Sequence, residues 1–253
     1  MSIGERKQYS ISDRYVEESG KVFLTGVQAL ARLPIQQLRT DRDKGLNTAS
    51  LLAGYPGSPL AGLNFEIENA KRLVPDLPIV HRPLLNEEHG ATAVMGSQLA
   101  AEQPDCAFDG IVGFWYGKAP GLDRAGDALR HAVFTGTSRL GGAVAIVGDD
   151  PAAKSSTLPS SSDATLFDLH MPILYPGDVQ EILTLGMHAI SLSRITGAWT
   201  ALKIVDAVAD GSGTIDLAST VIEPIVPNLE IDGVKYEHHP DAKLLPPNNL
   251  ALE

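Results

Sequence analysis

A pair of glutamates at the start of a predicted helix is the clearest candidate for chemistry in this chain. Glu87 and Glu88 follow Asn86, a residue type that often caps helices, and the helix dipole favours carboxylates in the first turn. An apolar run at residues 78–81 predicts a strand just before them. A carboxylate there lies at the carboxyl edge of an open sheet, where α/β folds bind ligands. Acidic residues also occur in first helical turns without any chemistry, so the rest of the chain must decide.

The helix that these glutamates begin is rich in small residues. Small side chains let another backbone or a flat ligand approach closely. The small residues are Gly90, Ala91, Ala93, Gly96 and Ser97.

Two loops marked by glycine and proline follow other predicted strands. In residues 55–59, of sequence Tyr-Pro-Gly-Ser-Pro, the prolines make the turn rigid, so that Ser58 presents its hydroxyl and N–H group. Residues 115–124 carry Lys118, Asp123 and Arg124, and Arg124 could hold a carboxylate through a bidentate contact. An ordinary helix cap at Ser58 and a surface pair of Asp123 with Arg124 are the alternatives.

A third loop, residues 148–156, combines aspartates with serines. Ser155, Ser156 and the backbone N–H groups here could bind an oxyanion, and Lys154 could add positive charge. The loop is not a Walker loop, because the spaced glycines and the Gly-Lys-Ser/Thr sequence are absent. A solvated serine-rich loop is the alternative. If all three loops and Glu87 lie at carboxyl ends of strands, one shared cleft is the simplest account.

The order of the elements predicts the fold class. Apolar strands alternate with helices of about 10–17 residues, which is typical of an α/β, doubly wound parallel sheet with helices on both faces. We predict an N-terminal arm at 1–20, this domain at 21–206, and an extended linker or tail at 207–253. Pro34 predicts a kink or an early end of the first long helix. The predicted strands are 48–55, 78–82, 110–115, 142–148, 171–174 and 198–205, and the later helices 60–73, 87–102, 121–135, 163–169 and 177–193.

Composition excludes several classes of function. The 253-residue chain has a net charge of −11 and no basic stripe, so nucleic acid is not an expected partner. Its single cysteine, Cys106, excludes an internal disulfide and an iron–sulfur cluster held by this chain alone. No signal peptide or transmembrane run is present, so we expect no membrane partner and a cytoplasmic location. The histidines predict no metal site; they include His81, His89, His131, His170 and the pair His238-His239.

Taken together, these motifs resemble the N-terminal pyrimidine-binding domain of indolepyruvate ferredoxin oxidoreductase and, more loosely, the wider 2-oxoacid:ferredoxin oxidoreductases. The resemblance covers residues 21–206 and keeps its order. The segments that carry it are 24–26 (Leu-Thr-Gly), 55–59, 86–87, 115–124, and Asp149-Asp150-Pro151 followed by Ser155-Ser156.

The resemblance implies thiamine diphosphate as cofactor, with a glutamate of this domain touching the aminopyrimidine ring. Glycine nine positions beyond that glutamate is typical of thiamine enzymes, and Glu87 has Gly96 at this spacing; Glu88 is the reserve. The glutamate exchanges a proton with the ring nitrogen and thereby activates the cofactor for attack on a 2-oxoacid. Ser58 would face the substrate, with Arg124, Ser155 and Ser156 as further lining residues. Tyr55, Pro56 and Gly57 are the expected cofactor-binding turn.

The resemblance also implies parts that this sequence lacks. The Gly-Asp-Gly motif that holds diphosphate and Mg²⁺ is replaced by Gly148-Asp149-Asp150, and no asparagine follows at the usual distance. We therefore expect a diphosphate-binding domain or subunit, iron–sulfur clusters on other regions, coenzyme A as co-substrate, ferredoxin as electron acceptor, and an oligomer. The alternatives are a noncatalytic docking or regulatory module with the same fold, and a flavodoxin-like or nucleotide-binding domain. The 2-oxoacid itself stays open.

Overall fold

Strands and helices alternate along most of the chain, in a computed structural model that describes residues 9–221, 224–225, 228, 230–235, 238 and 240. The strands are β1 (Lys21–Thr25), β2 (Thr48–Gly54), β3 (Ile79–Pro83), β4 (Gly110–Lys118), β5 (Ala143–Asp149), β6 (Ile173–Leu174), β7 (Thr200–Val205), β8 (Ser212–Asp216), β9 (Glu230–Ile231) and β10 (Val234–Lys235). The helices are α1 (Asp13–Val16), α2 (Gly26–Asp43), α3 (Leu63–Leu73), α4 (Glu87–Ala101), α5 (Ala119–Arg124), α6 (Gly126–Thr135), α7 (Asp163–Asp168), α8 (Val179–Thr196) and α9 (Asp206–Ala209), with a 3₁₀ turn at Leu217–Thr220.

The central sheet is parallel throughout. Its six strands lie in the order β3-β2-β4-β5-β7-β6. The register places Gly54 of β2 beside Tyr116 of β4, and Lys118 of β4 beside Gly148 of β5. The ends of these three strands therefore lie side by side, and the loops that follow them leave the same edge of the sheet. The predicted doubly wound parallel α/β fold is confirmed.

Alternate residues of each strand pack against helices on opposite faces of the sheet. On β4, Phe114 and Tyr116 pack in a core cluster with residues of α2, α3 and α8, whereas Trp115 packs in a second cluster with α4, α6 and α7. All three aromatic side chains are fully buried. Burial of each large apolar side chain contributes about 1.5–3 kcal/mol to stability. Both faces are covered, so β5 is buried along its whole length and its sequence shows no apolar–polar alternation.

Helix α2 continues through Pro34 instead of ending there. Proline removes one helical hydrogen bond, which normally disfavours a helix interior. Here Leu33 and Ile35 on either side are both fully buried, and α2 packs against α3 and α8. The apolar contacts of this central helix therefore outweigh the local preference of Pro34.

Packed structure extends beyond both ends of the domain predicted at 21–206. Tyr15 of α1 is buried, and its hydroxyl lies 2.5 Å from Glu66 Oε2 of α3. Strand β8 pairs antiparallel with β1 outside the main sheet, and Ile215 of β8 is fully buried. Residues 207–220, predicted as extended, thus include a helix and a strand of the folded unit. Strand β8 pairs with a strand almost 200 residues away, so the local sequence pattern did not predict it.

Of the predicted histidine pair, His239 lies outside the described residues. His238 is described and packs on Gly197, at the C-terminal end of α8.

Candidate functional site

Glu87 is the buried first residue of α4. Asn86 caps the helix, its side-chain oxygen accepting the N–H of His89 at 2.9 Å. The indole N–H of Trp115 donates to the carbonyl oxygen of Glu87 at 2.9 Å, which ties the helix start to β4. The solvent-exposed fraction of Glu87 is only 6%, whereas Glu88 is exposed. The two glutamates that sequence could not separate on physical grounds therefore have different environments.

The side chain of Glu87 packs against two glycines, Gly117 of β4 and Gly121 of α5. A Cβ atom on Gly121 would overlap Glu87 Oε1 and lie 2.7 Å from its Cγ. A Cβ on Gly117 would lie 3.4 Å from the same Cγ and 2.8 Å from the ring of Trp115. Glycine is needed at position 121 because any larger residue would displace the carboxyl group.

The small residues of α4 have an identifiable packing role. A Cβ on Gly90 would lie only 2.8 Å from the Cα of Gly54, so Gly90 admits the backbone of β2 rather than a ligand. Gly96, by contrast, has open space at the position of a Cβ. The sequence predicted that a backbone or a flat ligand could approach α4 closely along its small residues. The structure shows that at Gly90 the approaching group is the backbone of β2.

The 55–59 turn touches both of the other loops. A Cβ on Gly57 would lie 2.9 Å from Cδ of Lys118, so the lysine stem crosses the turn at this glycine. The hydroxyl of Ser58 shares a short hydrogen bond with the hydroxyl of Ser155. The Ser58–Pro59 peptide bond is cis, and Tyr55 is exposed. The turn therefore contacts both the end of β4 and the serine loop, and Glu87 packs on Gly117, the residue before Lys118.

In the 148–156 loop, backbone N–H groups that were expected to bind an oxyanion already have a partner within the loop. The carboxylate of Asp150 accepts the backbone N–H groups of Lys154 at 2.8 Å and Ser155 at 2.9 Å. The ammonium of Lys154 lies 2.6 Å from Asp210. Ser156 also donates a hydrogen bond to Asp150. These hydrogen bonds lower the pKa of the Asp150 carboxyl, and the one from the N–H of Ser155 has the largest effect. The expected oxyanion donors are occupied by a carboxylate of the same loop, which instead fixes the position of Ser155.

A buried lysine, which sequence analysis did not single out, joins the end of β5 to the start of α7. Lys203 of β7 lies 2.5 Å from Asp163 and 3.4 Å from Asp149, and its ammonium is 4.7 Å from the ring centre of Tyr175. The hydrogen bond from Lys203 lowers the pKa of the Asp163 carboxyl. Asp149 also accepts the N–H of Ser162 at 2.9 Å. The sequence signal that could have identified Lys203 is its position inside an otherwise apolar strand.

A second buried polar group lies on the opposite face of β4. The ring of His81 bonds to Glu68 at 2.8 Å and to the Tyr116 hydroxyl at 3.0 Å. Burial lowers the pKa of His81 despite the nearby carboxylate of Glu68. His81 is therefore a hydrogen-bonded core residue. Across the described ranges, no three His, Cys, Asp or Glu side chains converge as a metal site.

Arg124 is not joined to this group of residues. It is exposed in the last turn of α5, and the neighbouring Asp123 accepts a hydrogen bond from Thr165 of α7 at 2.9 Å. Within the described part of the chain, no hydrogen bond or ion pair links Arg124 to Glu87 or Ser58. Its predicted role in holding a substrate carboxylate stays a prediction.

The Asp150 contacts predict a pH-dependent stability. A carboxylate with a lowered folded-state pKa stabilises the fold above its unfolded pKa of about 3.9, and that contribution is lost as pH falls through the folded value. Asp150→Asn should therefore melt below the unmodified chain at pH 7, and the gap should close below about pH 4. Thermal melts between pH 3 and 7 measure it. Asp105→Asn is the control: Asp105 is exposed in a turn, no hydrogen bond or ion pair within the described residues engages it, and it should show no such gap.

Two curated relatives are similar to this chain. It is 27% identical over 207 residues to indolepyruvate oxidoreductase subunit IorA of Methanothermobacter thermautotrophicus. This aligned region covers 82% of this chain and 30% of the relative. It is 24% identical over 205 residues to the subunit of the same name from Methanothermobacter marburgensis, covering 81% and 29%. The chain thus spans about 30% of the length of these relatives. No family model matches the sequence.

A solved structure shares the fold. A 2-oxoglutarate:ferredoxin oxidoreductase from Magnetococcus marinus superposes with a TM-score of 0.59 at 15% identity, over 78% of this chain and 32% of that one. Within the described residues, none of the helices is both long and apolar enough to cross a bilayer. The sequence relatives and the shared α/β fold together confirm the resemblance of this chain to a domain-sized part of the 2-oxoacid:ferredoxin oxidoreductases.

Proposed function

We propose that this chain is the pyrimidine-binding part of a thiamine-diphosphate-dependent 2-oxoacid:ferredoxin oxidoreductase of the indolepyruvate type. The whole enzyme would decarboxylate a 2-oxoacid oxidatively to an acyl-CoA and pass the electrons to ferredoxin. The observation that carries the proposal is the buried side chain of Glu87 at the carboxyl edge of the sheet, which lies at the start of α4 against Gly117 of β4 and Gly121 of α5.

The residues at this edge fit the pyrimidine end of the cofactor. Glu87 supplies a carboxyl group whose backbone is fixed by Trp115 and whose side chain lies against Gly117 and Gly121. The turn of Tyr55, Pro56 and Gly57 is the proposed wall of the same site. When bound, the cofactor supplies the electron sink for decarboxylation.

The chain's own contribution is acid–base chemistry and positioning. Glu87 would exchange a proton with the ring nitrogen of the aminopyrimidine, which is general acid–base catalysis by a carboxyl group in a water-poor site. Ser58 and Ser155, already joined through their hydroxyls, would orient the 2-oxoacid. Ser156 and Arg124 are further proposed lining residues; Ser156 bonds to Asp150 in this structure.

The remaining machinery would lie on other regions or subunits. The proposed partners are a diphosphate-binding domain that holds Mg²⁺, an iron–sulfur region, coenzyme A and ferredoxin. Two facts support this division: the curated relatives are about three times longer than the matched segment, and the Gly-Asp-Gly motif is absent from residues 148–150. In the described residues Asp149 pairs with Lys203, and Asp150 with its own loop.

Calorimetry with thiamine diphosphate and Mg²⁺ tests the proposal, on this chain alone and on the complete assembly that contains it. We expect weak or no binding by the isolated chain, because donors for the diphosphate are elsewhere, and cofactor-dependent oxidation of a 2-oxoacid by the assembly. Micromolar, metal-dependent binding by the chain alone would contradict the division of the site. An assembly that oxidises no 2-oxoacid would favour the docking or regulatory module instead.

A further inference from the structure

A cleft lies between the short helix α1 and helix α3, and we refer to it as the α1–α3 cleft. Its volume is about 380 Å³, which is within the range of small-molecule sites in proteins. Helix α3 contributes Glu66, Asn69 and Arg72, whose spacing of three places them on one helical face. Helix α1 and the segment before it form the other wall. None of the lining residues belongs to the candidate site around Glu87.

Two arginines line the α1–α3 cleft without a carboxylate partner. Across the described residues, no hydrogen bond or ion pair engages the guanidinium of Arg14 or of Arg72. Nearby, by contrast, Arg39 lies 3.3 Å from a carboxylate oxygen of Glu18. Arg14 is partly buried, and its Nε is shielded from solvent without a hydrogen bond. A charge that has lost part of its hydration favours a partner of opposite sign, so the two arginines favour an anionic group in the cleft.

A carboxylate lines the same cleft and works against a simple anion. Glu66 is partly buried, and its Oε2 accepts the hydroxyl of Tyr15 at 2.5 Å. No described residue donates a hydrogen bond to its other oxygen, Oε1. The contact with Tyr15 fixes the carboxylate on the wall of the cleft, where it repels an anion and attracts a cationic group.

The cleft also has an apolar part. Ile11, before α1, and Leu73, at the end of α3, both line it and both have exposed side chains. Exposed apolar side chains in a concave site contact the apolar part of a ligand and are thereby removed from water. A ligand that satisfies the whole wall therefore carries an anionic group, a cationic group and an apolar group.

We propose that the α1–α3 cleft binds a free α-amino acid with an apolar side chain. The carboxylate of the ligand binds the two arginines, its ammonium group binds Glu66, and its side chain packs on Ile11 and Leu73. Each charged group that lacks a partner in the cleft then has one, which neither a simple anion nor a simple amine achieves. This site goes beyond the proposed function and does not depend on it.

Calorimetry on the full 253-residue chain tests the proposal with L-phenylalanine, L-leucine and L-tryptophan. The tightest of the three is then compared with its analogues that lack the ammonium group or the carboxylate, which for phenylalanine are phenylpropionate and phenethylamine. Inorganic phosphate is the probe for a general anion site.

The variants are Arg14→Gln, Arg72→Gln and Glu66→Gln. Glutamine at position 66 keeps an oxygen for the hydroxyl of Tyr15, and Arg14→Met is a second neutral variant if Arg14→Gln disturbs the fold. Arg82→Gln is the matched control. Arg82 is exposed on β3, outside the cleft, and no described residue bonds to its side chain. Thermal melting shows that each variant is folded.

At least one of the three amino acids should bind. Arg14→Gln, Glu66→Gln and the loss of either charged group from the ligand should each weaken binding about 10- to 100-fold, the usual effect of a lost hydrogen bond between charged groups. Arg72→Gln should have a smaller effect, because Arg72 is exposed, and Arg82→Gln should have none.

Three results would overturn the assignment. The first is that none of the amino acids binds up to about 10 mM, which is weaker than ordinary ligand affinities. The second is that phosphate or the analogue without an ammonium group binds as tightly as the amino acid, which would make the cleft a general anion site. The third is that Arg82→Gln weakens binding as much as Arg14→Gln. The proposed function fails or stands separately, because it is tested with thiamine diphosphate and a 2-oxoacid.

Discussion

Replacing Glu87 by glutamine is expected to lower turnover of the assembled oxidoreductase by about 10²–10⁴-fold, the usual scale for a lost acid–base group. Glutamine matches glutamate in shape, so the contacts with Gly117 and Gly121 and the fold of α4 should persist. Cofactor affinity should change much less, because the proposed partner domain holds the diphosphate. Turnover and exchange of the cofactor's C2 proton, both measured in the complete assembly, report the loss directly.

Glu88→Gln is the matched control. Glu88 is the next residue of the same helical turn but is exposed, so its carboxylate should contribute only about 0.3–1 kcal/mol through the helix dipole. Its turnover should therefore be close to normal. If Glu88→Gln proves inactive and Glu87→Gln active, the catalytic glutamate is one residue later than proposed. If both variants turn over normally, the thiamine assignment itself fails.

The fold could be predicted from sequence because its strands carry strong local signals. Residues 143–147 form a continuous apolar run that is buried on both faces, and the helices between such runs are long enough for parallel crossovers. What sequence did not predict depends on distant partners. β8 forms only by pairing with β1, and Pro34 is tolerated because its neighbours are buried between α3 and α8.

The candidate site could be predicted only as a set of loops. Glycine and proline mark turns through local backbone geometry, so residues 55–59 were recognisable as a rigid turn at a strand end. The contact between Ser58 and Ser155 joins residues 97 positions apart, and no local pattern encodes it. Composition also did not reveal that Asp150 accepts the backbone N–H groups of Lys154 and Ser155 in the serine loop.

Gly121→Ala is expected to lower turnover about 100-fold while leaving the chain folded. The new Cβ would overlap the carboxyl oxygen of Glu87, so the carboxyl group must move, and a displacement of about 1 Å can cost this much in rate. The atoms in the way belong to a flexible side chain, and the shift should cost little stability. Gly126→Ala is the control: it adds a methyl group at the first residue of α6, where no atom lies within 4 Å apart from its chain neighbours and its own helix. Turnover and thermal melting of both variants are the measurements.

The double variant Glu87→Gln/Gly121→Ala decides whether Gly121 acts through Glu87. If the glycine matters only because it leaves room for this carboxyl group, the double variant should be no slower than Glu87→Gln alone, since residues that act as a unit have non-additive effects. Losses that multiply would instead mean that Gly121 affects the reaction by another route, such as the position of α5. A large drop in melting temperature for Gly121→Ala alone would make the glycine a requirement of the fold, because then the backbone of α5, and not the side chain of Glu87, would have had to move.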